Sequence, residues 1–174
     1  MNTYKSVLIR LMKGGDFVKI KWKALIINLL IPLAVGLLSG YLSREGMDNY
    51  NNVIKPSITP PAFLFPIVWT ILYILMGISS YLIFASNASQ SQKEEALRIY
   101  VLQLGVNFLW SFIFFNMGSY LLAFVWLVLL WGLILAMIMS FYSISKLAAI
   151  LQIPYLIWVT IAGVLNWMIY QLNK

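Results

Sequence analysis

The sequence predicts an all-α membrane protein built as a bundle of five transmembrane helices. Of its 174 residues, 62% are hydrophobic and only 10% are charged, whereas soluble proteins carry about 25% charged residues. The mean hydropathy is +0.88. A membrane span must be a helix or part of a closed barrel. Because the apolar runs here are continuous and lack the alternation of barrel strands, they predict helices.

Five apolar runs define the limits of the predicted helices. They cover residues 24–42, 62–85, 96–115, 120–142 and 147–172. Each is close to the ~20 residues that cross the hydrocarbon layer of a membrane. Only residues 43–61 form a long connection, so we predict a single domain over residues 24–174.

Residues 1–23 form a separate basic tail that carries six of the twelve Lys and Arg residues. Val7, Leu8, Leu11 and Met12 recur at helical spacing, which favours an amphipathic helix on the lipid surface. The alternatives are a disordered tail or an extension without a role. The charge therefore indicates membrane lipid, not nucleic acid, as the partner. With the tail in the cytoplasm, nine basic residues lie inside and three outside.

Several kinds of chemistry have no residues to carry them. The chain has no Cys and no His, so we predict no metal site and no required cofactor. Without His, Cys or a buried carboxylate, nothing would activate a serine, and we predict no conventional catalytic residues. After Arg98 the charges are Lys146 in a turn and Lys174 at the end. The lack of an ionisable residue at membrane depth disfavours ion-coupled transport.

Residues 55–77 read KPSITPPAFLFPIVWTILYILMG and organise the rest of the chain. The proline-dense start cannot be helix interior, and Pro61 suits the first turn of a helix. Trp69 and Tyr73 stand four residues apart and project from one helix face. This pattern indicates a lid over a pocket. The alternative is a membrane helix that begins at prolines and carries interfacial aromatic residues.

Two later helices carry amides among aromatic residues. The first stripe is Asn107, Trp110, Ser111 and Phe114, and the second is Trp158, Ala162, Leu165 and Asn166. An amide in hydrocarbon needs a partner, so Asn107 and Asn166 should face the interior. Interhelical hydrogen bonding of ~0.6–2 kcal/mol would by itself explain them. The functional alternative is a cavity lined by Trp69, Tyr73, Trp110 and Trp158, which suits a flat apolar ligand.

A small-residue pair, Gly36 and Gly40, lies in the first helix. This spacing lets two helix backbones approach closely. It predicts either a dimer seam or close packing inside one chain.

Four stretches resemble the TspO/MBR family, which includes the translocator protein (peripheral-type benzodiazepine receptor) and the bacterial tryptophan-rich sensory proteins. They agree with it in order, spacing and helix number, and the resemblance covers about five-sixths of the chain. The stretches are KPSITPPAF at 55–63, PIVWTILYILMG at 66–77, QLGVNFLWSFIFF at 103–115 and LQIPYLIWVTIAGVLN at 151–166.

The resemblance implies a five-helix bundle, commonly a homodimer, with a pocket capped by the first loop. Family members bind porphyrins such as protoporphyrin IX, and eukaryotic members also bind cholesterol and synthetic drugs. By motif position, Tyr50 would be a lid residue. The pocket residues would be Trp69, Tyr73, Asn107, Trp110, Trp158 and Ala162. We expect a multi-pass protein of a bacterial cell membrane.

Two departures narrow what the resemblance implies. Ile58 stands where members often have an aromatic residue before the proline pair. The sterol pattern of the last helix is met by Leu165, Tyr170 and Lys174, but such patterns are weak, and we infer no sterol binding from them.

Two functions follow as hypotheses. One is a sensor or carrier that binds tetrapyrroles and similar flat apolar molecules. The other is an enzyme that degrades porphyrin with light and oxygen, in which the tryptophans matching Trp69 and Trp158 would act. A structural protein without a ligand is the third alternative.

Overall fold

The computed structural model describes residues 20–174 and shows helices joined by turns and loops over that range. The helices are α1 (Trp22–Leu42), α2 (Arg44–Tyr50), α3 (Leu64–Ala85), α4 (Gln90–Ser111), α5 (Tyr120–Ile144), α6 (Lys146–Ile150) and α7 (Ile153–Leu172). A π-helical turn, Phe112–Asn116, extends α4. Five segments are long and apolar enough to cross a membrane, so the predicted fold class is confirmed. Most of the tail, with its predicted amphipathic helix, lies outside the described residues.

The third spanning segment begins at Gln90, earlier than the predicted Ala96. Ser89 explains the difference. Its Oγ accepts a hydrogen bond from the backbone N–H of Gln92 (3.3 Å), and the Gln92 side chain accepts one from the N–H of Ser89 (3.1 Å). This capping box starts the helix in a polar segment. The prediction placed the start too late because it followed hydrophobicity alone.

Prolines shape two other helix starts. Pro61 does not open α3; it lies in a turn in which the N–H of Leu64 donates to the Pro61 carbonyl (3.0 Å). The fifth predicted helix is divided into α6 and α7 by a turn at Leu151 and Gln152. Pro154 then occupies the first turn of α7, where its missing N–H costs no helical hydrogen bond.

Close helix packing joins α1 to α3, while α5 packs on both α4 and α7. Two glycines make the first contact close. A Cβ on Gly77 would stand 2.7 Å from Leu29 Cα, and one on Gly36 would collide with the Tyr73 ring. Gly36 therefore packs inside the chain, whereas Gly40 has no atom within 4 Å of such a Cβ. Within residues 20–174, only Gly36 of the predicted pair makes such a close contact.

The first loop, residues 43–63, crosses the outer end of the bundle, which we define as the end where α1 finishes and α7 finishes. It contains the short helix α2, which the sequence prediction missed. Asn116 Nδ2 donates to the Leu42 carbonyl (3.0 Å) at the start of this loop. Farther along, Ile54 and Asn173 exchange two hydrogen bonds, of 3.1 and 2.9 Å. The loop is thus attached to α4 and to α7.

Candidate ligand-binding site

Helix α3 turns two aromatic side chains of the predicted site toward the interior. Trp69 stacks on Tyr73 with ring centroids 5.5 Å apart and an interplanar angle of 29°. Tyr73 is buried and Trp69 is half-buried. The spacing of four residues had placed both side chains on one face, and the stacking is its result.

Two buried amides, Asn107 and Asn166, form hydrogen bonds with polar groups beside these rings. Asn107 Nδ2 donates to the hydroxyl of Tyr73 (3.0 Å). Trp110 Nε1 lies 3.4 Å from Asn166 Oδ1, to which it donates, and Asn166 Nδ2 donates to the backbone carbonyl of Tyr120 (2.7 Å). Both amides have partners on another helix, which removes the cost of burying them in hydrocarbon.

The contribution of α7 is Trp158, with Ala162 one turn farther on. The Trp158 ring lies edge-on to Phe65, 5.8 Å away, and Trp69 lies edge-on to Tyr155, 6.1 Å away. Ala162 is half-buried and packs against the core. Aromatic side chains therefore span the distance between α3 and α7.

Tyr50 is the one predicted site residue that lies on the first loop. Its ring lies 5.4 Å from both Phe114 and Phe115, and Phe114 in turn stacks on Trp110 at 5.2 Å. Lys55 Nζ lies 4.5 Å from the centre of the Tyr50 ring, a cation–π distance. Burial raises the pKa of Tyr50 above its usual value, and the nearby Tyr120 adds a smaller effect in the same direction. Its hydroxyl therefore stays neutral at physiological pH.

Among the predicted site residues, Tyr73 contacts both Trp69 and Asn107 directly, whereas Tyr50 reaches Trp110 only through Phe114. Two surface grooves lie away from these residues. One, of about 510 Å³, is lined by Ile54, Lys55, Pro56, Ser57, Trp167, Met168, Gln171 and Leu172. The other, of about 440 Å³, lies between α4 and α5. A ligand between α3 and α7 would displace the ring contacts that join these helices, Phe65 with Trp158 and Trp69 with Tyr155. Trp69 and Trp158 are each only half-buried.

Three residues that touch this set were missing from the predicted site: Phe65, Tyr155 and Gln103. Phe65 is four residues before Trp69, so helical spacing could have placed it on the same face. Tyr155 is almost fully buried, and its hydroxyl donates to Gln103 Oε1 (2.9 Å). Only the packing of α4 beside α7 brings those two together, and no pattern along the chain shows it.

Comparison with known proteins decides the family. The profile of the TspO/MBR family matches residues 28–172. The chain belongs to the TspO/MBR family. It is 39% identical over 142 residues to the tryptophan-rich protein TspO of Chlorobaculum tepidum, covering 81% of this chain and 90% of that one.

Two more relatives show how widely this family extends. A tryptophan-rich sensory protein of Cereibacter sphaeroides is 35% identical over 124 residues, which are 71% of this chain and 76% of that protein. The translocator protein of Bos taurus is 34% identical over 147 residues, 83% of this chain and 87% of that protein. Family membership and five apolar helices make this TspO/MBR protein a multi-pass integral membrane protein.

Proposed function

We propose that this protein binds tetrapyrroles such as protoporphyrin IX, and similar flat apolar molecules, between α3, α4 and α7, and that it acts as a sensor or carrier for them. The first loop acts as the lid. The ligand enters as Trp69 and Trp158 rotate, and the aromatic faces that now contact each other then contact the ligand.

The observation that carries this proposal is the concentration of aromatic rings with partnered amides at membrane depth. Trp69 on Tyr73 and Trp110 on Phe114 form two stacks. Asn107 and Asn166 supply hydrogen-bonding groups beside them. Aromatic faces favour a flat ligand, and a few fixed polar groups orient it.

Charge supports a ligand with an acidic edge near the lid. Lys55 Nζ lies over the ring of Tyr50, which joins the site through Phe114. The carboxylates of a tetrapyrrole would meet this cation at the outer end, where water is close. The names of two relatives, a sensory protein and a translocator, agree with sensing or carrying.

The test is a titration of the purified protein in detergent with protoporphyrin IX, followed by porphyrin absorbance. We expect saturable binding, and a Kd raised about tenfold or more in Trp69→Leu with Trp158→Leu, because lost stacking costs about 0.5–1.5 kcal/mol per aromatic pair. Trp131→Leu, which makes the same change at an exposed position of α5, is the matched control and should keep the wild-type Kd. A wild type without saturation would refute the proposal and favour a structural role.

Porphyrin degradation driven by light and oxygen remains the second candidate. The observation that favours it is the contact of Trp69 with two tyrosines, Tyr73 and Tyr155, since these ring types exchange electrons readily. The absorbance of bound porphyrin should then fall faster under light and air than that of free porphyrin in detergent. Equal rates would exclude degradation while leaving the binding proposal intact.

A further inference from the structure

Two glutamines in the interior have side-chain groups without partners. Gln103 and Gln152 are both fully buried. Nε2 of Gln103, and both Nε2 and Oε1 of Gln152, make no hydrogen bond within residues 20–174. Burying such groups unpaired costs free energy, and the membrane supplies no water to replace the lost bonds. The buried hydroxyl of Tyr100, three residues before Gln103 on α4, also lacks a partner, whereas the side chains of Asn107 and Asn166 both make hydrogen bonds.

These amides adjoin the candidate ligand site. Gln103 Oε1 accepts a hydrogen bond from Tyr155, and the Tyr155 ring contacts Trp69. Gln152 precedes Tyr155 by three residues, which places both on one face of the chain as it enters α7. Helices α4 and α7 run in the same direction, from the inner end of the bundle to the outer end. Gln103 and Gln152 therefore lie on the inner side of the aromatic set.

The distance along α4 between Gln103 and Trp110 matches the width of a flat macrocycle. Trp110 follows Gln103 by seven residues on α4, which corresponds to about 10 Å along the helix. A ring system whose outer edge lies at the level of Trp110, under the lid, would thus reach the glutamines with its inner edge.

We propose that Gln103 and Gln152 form a polar floor of the site, which binds an uncharged hydroxyl group on the inner edge of the ligand. The proposal rests on the proposed function. A hydroxyl can accept from a free amide N–H and donate to Oε1 of Gln152, which is the hydrogen-bonding capacity that these atoms leave unused. A carboxylate does not fit, because it cannot donate and no cation lies on α4 or α7 near this depth. The acidic edge faces Lys55 and the hydroxyl edge faces the floor.

A pair of porphyrins tests this assignment. Protoporphyrin IX and haematoporphyrin carry the same two propionates and differ at two side groups, which are vinyl in the first and hydroxyethyl in the second. The measurement is the ratio of their Kd values, each corrected for partition into empty micelles. We expect wild type to prefer haematoporphyrin about fivefold to tenfold, the gain of one satisfied polar contact. In Gln103→Met and Gln152→Met the preference should disappear.

Gln171→Met is the matched control, since it makes the same chemical change on α7 at an exposed position. It should retain the wild-type ratio. The melting temperature of each variant shows whether it is folded, and Met is chosen because it fills a similar volume without polar atoms.

The outcomes separate the two proposals. If both porphyrins bind and the ratio is the same in wild type and in both Met variants, the floor is refuted while the proposed function stands. A Met variant that is more stable but keeps the ratio would show that the amides hold buried water only, which also refutes the floor. If neither porphyrin saturates the wild type, the proposed function fails and the floor fails with it.

Discussion

The two sides of α3 are built in different ways. Toward α1, Gly36 and Gly77 remove side chains from the contact, so that backbone lies almost against backbone or ring. Toward α7, the contact consists of aromatic rings: Phe65 with Trp158, and Trp69 with Tyr155.

The difference indicates which side can open. A backbone contact can be separated only by moving a whole helix, because helix backbones have no alternative rotamers. In the ring contact, Phe65, Trp69 and Trp158 are partly exposed, so their χ angles can change while the helices keep their places. The molecule thus combines a fixed seam between α1 and α3 with an adjustable contact between α3 and α7.

The largest expected effect comes from breaking the fixed seam with Gly77→Ala. The new Cβ would stand 2.7 Å from Leu29 Cα and 2.8 Å from the Asn28 carbonyl oxygen, and neither backbone atom can turn away. We expect a loss of about 1–3 kcal/mol in the free energy of unfolding, the usual cost of overpacking. Unfolding by a denaturing detergent measures it.

Gly105→Ala is the control for that change, since a Cβ there meets no atom within 4 Å. Alanine is the better helix former by about 0.5–1 kcal/mol, so this variant should be as stable as wild type or more so. Equal losses in both variants would show that the α1–α3 seam is not closely packed.

A smaller effect is expected from the hydrogen bond between Asn107 and Tyr73, which lies between the two sides of α3. Either Asn107→Leu or Tyr73→Phe leaves one buried polar group unpaired, at a cost of about 1–3 kcal/mol, whereas changing both removes the mismatch. The double variant should therefore be more stable than the sum of the single losses predicts. A double-mutant cycle in denaturing detergent measures the coupling. Strict additivity would mean that the two groups do not bond in the folded protein.

The smallest effect on stability should come from Asn173→Ala, which frees the first loop from α7. The two bonds to Ile54 lie in an exposed region, where each hydrogen bond contributes only about 0.5–1.5 kcal/mol. Stability should change little, while amide hydrogen exchange at Ile54 should become faster. The comparison variant is Asn116→Ala, which removes the other attachment of the first loop. Unchanged exchange at Ile54 would contradict the role of Asn173.

Much of this architecture could be predicted from the sequence because hydrocarbon imposes one rule on every span. A continuous apolar run must be a helix, so helix number and approximate limits followed from composition. Helical spacing also placed Trp69 with Tyr73. The start of α4 at Gln90 was missed, since its first turns are polar and only the Ser89 capping box marks them.

Other features depend on contacts between distant parts of the chain. Helix α2 forms in a polar loop, with Gly46 lying against the backbone of Phe115. The bond from Tyr155 to Gln103 joins residues 52 positions apart. The choice between a dimer seam and internal packing for Gly36 was settled only by the Tyr73 ring above it. Neither periodicity nor composition carries information of this kind.

The first loop docks on the π-helical turn at Phe112–Asn116. This contact therefore depends on the number of residues in the turn as well as on their identity. Two consecutive phenylalanines of this turn, Phe114 and Phe115, both lie 5.4 Å from the Tyr50 ring. Deleting Phe115 would restore ordinary winding and swing Asn116 away from the Leu42 carbonyl. A single-codon deletion at the end of this spanning segment would therefore weaken the docking of α2 on the bundle, while the other four spanning helices keep their sequences.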